Sequence, residues 1–279
     1  MHKFLITFVV SISLPVTLWA EKIKPDATEF IRVQRSEKQV TLQTAVTRYS
    51  KGNTHVDLIG AVHIADKEYY QKLNKDFKAY PVLLFEMIGG EKLGQGRPMP
   101  KKDENAKSAL GLLNTAFDTM QTMLDLSSQK DHIDYTAKNF LHADLTVEEF
   151  LTLQETRKES ILSFAIQQSL QAKPSDQPSS IGLLFALLSG NADKLKLQLV
   201  DTLGKGDNQM AAMTGDNVII SDRNIKCLAV MQQQIDAGTK SIGIFYGAAH
   251  YPDMEQRLIK LGFAQTKQSW LDAWVIPKK

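Results

Sequence analysis

Gly60-Ala61-Val62-His63 returns near the other end of the chain as Gly247-Ala248-Ala249-His250. At that offset of 187 residues (250 minus 63), Asp66 also matches Asp253 and Glu68 matches Glu255, so five of nine positions agree. Each copy follows an apolar run of β character, Val56 to Ile59 and Ile242 to Tyr246, and precedes an amphipathic helical stretch. Each histidine is therefore expected on the turn just past a strand's carboxyl end, where open α/β sheets bind ligands. Glycine lets the backbone bend there and lets a ligand come close. On neighbouring strands, His63 and His250 would lie side by side, able to hold a divalent metal or to act as acid and base.

Working outward, Phe30 to Val33 and Val40 to Val46 alternate as strands do, and Lys51-Gly52-Asn53 supplies the turn of an antiparallel hairpin. Asp66 is placed to open a helix over Lys67 to about Lys78, followed by the continuous apolar run Val82 to Phe85, which suits a buried parallel strand. The segment from about 105 to 203 reads as helical, with Thr146-Val147-Glu148-Glu149 spaced as a capping box. Its middle holds Lys173 to Ser180, a hinge of Pro, Ser and Asp, and then the apolar segment Ile181 to Leu188. A helix from about Asn217 to Ala237, the Ile242 strand, a helix to Leu261 and a last strand over Trp270 to Ile276 complete the chain. The expected fold is α/β: a mixed sheet built from two β-α-β half-repeats, with an N-terminal hairpin and a helical insertion, or lid, between the halves.

Met1-His2-Lys3, the apolar run Phe4 to Trp19 and Ala20 read as a signal peptide over residues 1–20, with 21–279 as one domain. A retained amino-terminal anchor is the alternative. The expected location is periplasmic or secreted. The single cysteine, Cys227, cannot form an internal disulfide and lies on an apolar helix face as a small core residue. With 33 basic and 31 acidic residues spread evenly, the chain has no basic stripe, which argues against nucleic acid as a partner.

Glu86 ends the apolar run Val82 to Phe85, where a carboxylate needs a compensating partner. On a strand beside the Gly60 strand it would share the crevice with His63, ligating a metal or accepting a proton from water; a salt-bridged strand end is the plainer reading. Arg223, in Ser221-Asp222-Arg223-Asn224, could bind a substrate carboxylate or an oxyanion, or be an Asp-paired surface residue. His142 could drop into the crevice or serve as a cap or surface residue, and Asp66 and Asp253 read as helix caps. Asp272 lies near the place in the second half that matches Glu86, but inside an apolar strand.

Taken together, Gly60-Ala61-Val62-His63, Glu86, Asp222-Arg223-Asn224 and Gly247-Ala248-Ala249-His250 resemble the TraB/TIKI superfamily, which includes the PrgY and GumN-like proteins. The likeness covers roughly His55 to Met87 and Asn217 to Ile276. It implies an α/β core related distantly to erythromycin esterases and ChaN-like proteins, with His63, His250, Glu86 and Arg223 as the active centre. It also implies a divalent-metal-dependent peptidase, with Mn, Co or Zn on His63, His250 and Glu86 and a peptide or protein as substrate. The helix motif His-Glu-x-x-His of standard zinc proteases is missing from the sequence. Two rivals stand beside this reading: a metal-independent esterase or amidase with His as general base, and a non-catalytic binder of peptide or haem.

Overall fold

The computed structural model describes residues 28–97, 118–159, 180–204 and 217–278. The leader, the Lys173 hinge and the Ala109 to Phe117 part of the helical block lie outside the described residues. Among the described residues, the following strands and helices come in chain order. The first unit is β1 (Ile31–Arg35), β2 (Gln39–Lys51), β3 (Thr54–Ala61), β4 (Ile64–Ala65), α1 (Lys67–Phe77) and β5 (Val82–Phe85). Then come β6 (Ser127–Ser128), α2 (Gln129–His132), β7 (Phe140–His142), α3 (Val147–Arg157), α4 (Ser180–Leu188) and α5 (Ala192–Gly204). Last are α6 (Arg223–Asp236), β8 (Ser241–Gly247), α7 (Tyr251–Lys260) and β9 (Ala264–Pro277).

The molecule is α/β with one mixed sheet. Strands β3, β8, β5 and β7 lie in that order and run parallel, while β2 joins β3 antiparallel. The expected hairpin is the β2–β3 pair, whose turn places Gly52 at φ 56°, a conformation glycine adopts without a Cβ penalty. β3, β5 and β8 are buried along nearly their whole length, as continuous apolar runs require when both faces are covered.

One expectation changes. β5 is not beside β3, because β8 from the second unit is inserted between them; the Glu86 strand end therefore adjoins the His250 turn first. The last strand, whose direction the sequence leaves open, is antiparallel: β9 runs back along β2 from Gln39 to Ser50. The described helices of the insertion, α4 and α5, contact each other, and α5 packs on β1, β2 and β9, the antiparallel side of the sheet.

Packing and hydrogen bonds tie the rim to the parallel strands. α1 turns Tyr69, Tyr70, Leu73 and Phe77 inward at helical spacing. Tyr69 donates to the Gly60 carbonyl at 2.7 Å and Tyr70 to that of Val62 at 2.9 Å. On the second unit, the Tyr251 hydroxyl accepts from Tyr246 N at 3.0 Å and lies 2.6 Å from the Ile59 carbonyl, joining β3 to β8.

Candidate active site

Four parallel strands deliver four side-chain groups to one rim. His63 follows β3, His250 follows β8, Glu86 follows β5, and His142 with Asp144 ends β7. The two halves of the echoed motif diverge just past their glycines. After Ala61 the chain forms the short β4 strand, which pairs with β6, and the His63 side chain stays exposed. After Gly247 the chain coils at once into a 3-10 turn over Ala248–His250, and His250 is 4% exposed.

The glycines also differ in purpose. Gly247 N donates to Glu86 Oε2 at 2.6 Å, and a Cβ on Gly247 would only touch that oxygen, at 3.4 Å. A Cβ on Gly60 would instead press on β2, 3.1 Å from the Ala45 carbonyl oxygen. The close-approaching ligand expected at the second glycine is the protein's own Glu86.

Arg223 is the hub. A π-helical turn over Val218–Asp222, capped by Asn217, leads into α6 and turns the guanidinium inward. Its Nε and Nη2 donate to the two oxygens of Asp144 at 2.9 and 2.6 Å, and Nη2 also donates to Glu86 Oε1 at 2.6 Å. Nη1 reaches the Ile219 carbonyl at 3.3 Å and His250 Nε2 at 3.4 Å. All five N–H groups are thereby committed. Burial opposes the charge on Arg223, but Glu86 and Asp144 outweigh it and raise the guanidinium above its ordinary value. Burial would likewise raise the Glu86 carboxyl; Arg223, His250 and His63 outweigh it and hold it well below the usual carboxylate range.

The imidazoles have separate supports. Asn224 Nδ2 donates to the His250 carbonyl at 3.0 Å and to Asp253 at 2.8 Å, which leaves Asn224 Oδ1 to accept from His250 Nδ1–H at 2.7 Å. His250 Nε2 then faces Arg223 and lies 3.5 Å from Glu86 Oε1. His63 Nδ1 lies 3.2 Å from Gln129 Oε1. It lines an open cleft of about 330 Å³ together with Glu86, Gln129, Tyr135 and Arg223.

Arg223 and His250 thus meet the Glu86 carboxylate directly, and His63, the exposed one of the two motif histidines, lines the same cleft. The donor types suit a divalent ion, yet their arrangement does not: the place an ion would take between His250 Nε2 and Glu86 Oε1 is held by the Arg223 guanidinium. Both Glu86 oxygens are already engaged. Among the described residues, no three or more His, Cys, Asp or Glu side chains are arranged to hold a metal.

Asp144 and Asn224 are the members of the buried network to which the sequence alone assigns no role. Asp144 had a legible signal, since it follows the apolar Phe140-Leu141 strand as Glu86 follows Val82 to Phe85. His142 is neither a cap nor in the cleft: its Nε2 donates to the Met87 carbonyl at 2.7 Å and steadies the loop after Glu86. Asp66 stands at the head of α1 without capping it, accepting instead from Val275 N at 2.7 Å on β9. Asp253 lies inside α7, between Asn224 and Arg257. Asp272 accepts from Gln43 on β2, in the antiparallel part of the sheet. Cys227 is fully buried, and burial pushes its thiol up, as a core residue requires. Among the described residues no helix is long and apolar enough to cross a membrane.

No family model, curated protein or solved structure matches the chain.

Proposed function

We propose that the chain is a hydrolase of acyl bonds, ester or amide, in which His63 is the general base and no metal takes part. The observation that carries this reading is the contrast between the two imidazoles on one rim: His250 is buried on Arg223 and Asn224, while His63 stands in the cleft beside Glu86. Glu86, Asp144 and Arg223 together hold two negative charges against one positive, so with neutral imidazoles the buried set carries one excess negative charge. That excess borders the cleft that His63 lines.

His63 takes a proton from water as the water oxygen bonds to the acyl carbon, and the carbonyl electron pair moves onto its oxygen. The negative charge there faces Lys130 in the cleft wall. Arg223 holds Glu86 and Asp144 in place and gives the intermediate no hydrogen bond, because its donors are committed. Collapse of the intermediate breaks the bond to the alcohol or amine, which leaves with the proton carried by His63. The sequence resemblance to TraB/TIKI proteins suggests a peptide as substrate, and the leader-like first 20 residues suggest export to the periplasm or beyond.

The test uses purified protein, dialysed against chelator, with p-nitrophenyl butyrate and a fluorescence-quenched peptide library. The expected outcome is turnover that survives chelation and falls by about 10²-fold or more in His63→Ala, the usual weight of a general base. Equal turnover by wild type and His63→Ala would refute the reading, and activity restored only by added Mn, Co or Zn would replace it with the metal-dependent one.

A further inference from the structure

His63 reaches the cleft from a backbone turn, and an exposed imidazole on a turn has two neutral tautomers to choose between. What stands behind it is buried. Gln129, only 7% exposed at the head of α2, donates its backbone N–H to the His63 carbonyl at 2.9 Å and places Oε1 3.2 Å from His63 Nδ1. Its Nε2 donates to the Tyr135 hydroxyl at 2.9 Å, and Tyr135 is 2% exposed.

The direction of this chain follows from the Gln129 amide, whose Nε2 faces Tyr135 and whose Oε1 faces His63. Burial, with the charge of Glu86 on the same cleft, pushes the Tyr135 phenol up, so Tyr135 stays protonated. A hydroxyl in the field of a carboxylate turns its proton toward the negative charge and its lone pairs away. Tyr135 then accepts from Gln129 Nε2, the amide cannot rotate without losing that bond, and Gln129 Oε1 is left to accept from His63 Nδ1–H. The ring's basic nitrogen becomes Nε2. The His250 ring is held by an amide oxygen in the same way, through Asn224, but its Nε2 meets Arg223.

We propose that Gln129, oriented by Tyr135, is a positioning residue that holds His63 in its Nδ1–H tautomer and so makes Nε2 the nitrogen that accepts the proton from water. The role of the ring rests on the hydrolase reading; its tautomer does not. The measurement is therefore made without substrate, by ¹⁵N–¹H correlation spectra of histidine-labelled full-length protein, with the His63 signals identified by their loss in His63→Ala.

The expected wild-type pattern is a protonated Nδ1 and an unprotonated Nε2. Gln129→Leu should shift His63 toward the Nε2–H form that an unrestrained imidazole prefers, and Tyr135→Phe, which keeps the ring's packing, should do so in part. Gln129→Glu, still an acceptor, should restore the Nδ1–H pattern. On p-nitrophenyl butyrate, the Leu variant should lose about tenfold or more in kcat with KM little changed, and the Glu variant should recover most of it. An Nε2–H signal for His63 in wild type, or one pattern shared by wild type, Gln129→Leu and Tyr135→Phe, would overturn the inference. The expected spectra in a protein that hydrolyses nothing would uphold the positioning and refute the hydrolase reading alone.

Discussion

Arg223 decides whether the buried charges are tolerable. Removing it leaves Glu86 and Asp144 in the interior without their common partner, whereas each is now within 2.6 Å of the guanidinium. Breaking a buried pair in this way costs roughly 3–5 kcal/mol, so Arg223→Met is expected to lower the urea midpoint sharply, with the change read by circular dichroism. Glu86 sets the acid limit. Its folded-state carboxyl is depressed below the ordinary 4.5, so its contribution to stability is present above that value and is lost as pH falls through the folded one. Urea midpoints followed from about pH 6 to about pH 3 should fall in wild type, and Glu86→Gln should be less stable at the upper end with a shallower fall below. Parallel curves for the two proteins would contradict the assignment.

At the scale of elements, α3 shows what a local signal can specify. Thr146 accepts from Glu149 N at 3.1 Å and Glu149 Oε2 accepts from Thr146 N at 2.9 Å, the reciprocal capping expected from the spacing alone. Thr146→Ala should cost about 1 kcal/mol in urea unfolding and leave hydrolysis intact, since neither residue lines the cleft. The β2–β3 hairpin, α1 and the parallel β5 were legible for the same reason: turn chemistry and periodicity are local. Strand order was not. Nothing within Val82 to Phe85 says that β8 separates it from β3, because that neighbour arrives more than 150 residues later, at Ser241–Gly247. Nor does an Asp at the head of a helix reveal whether its side chain caps that helix or, like Asp66, holds a distant strand. The histidines and Glu86 could be read as a set because each ends an apolar run. Gln129, which ends no such run and sits on a four-residue helix, could not.

Across the whole molecule, the parallel strands act as a frame that brings distant polypeptide to one rim, and the ribbon of β2 and β9 lies on the other side of β3. β9 also reaches the His63 turn, where Trp274 Nε1 donates to the Ile64 carbonyl at 2.8 Å and Val275 N to Asp66. The echoed motif therefore yields two unlike environments from similar sequence, one buried among polar partners and one open to the cleft. The most direct test compares kcat/KM on p-nitrophenyl butyrate and the urea midpoint for His63→Ala and His250→Ala, both after chelation. His63→Ala should lose about 10²-fold or more in kcat/KM at nearly unchanged midpoint, and His250→Ala should lower the midpoint by leaving Arg223 and Asn224 without their buried partner. The opposite assignment, or equal effects of the two substitutions on both quantities, would contradict the division of labour between the two histidines.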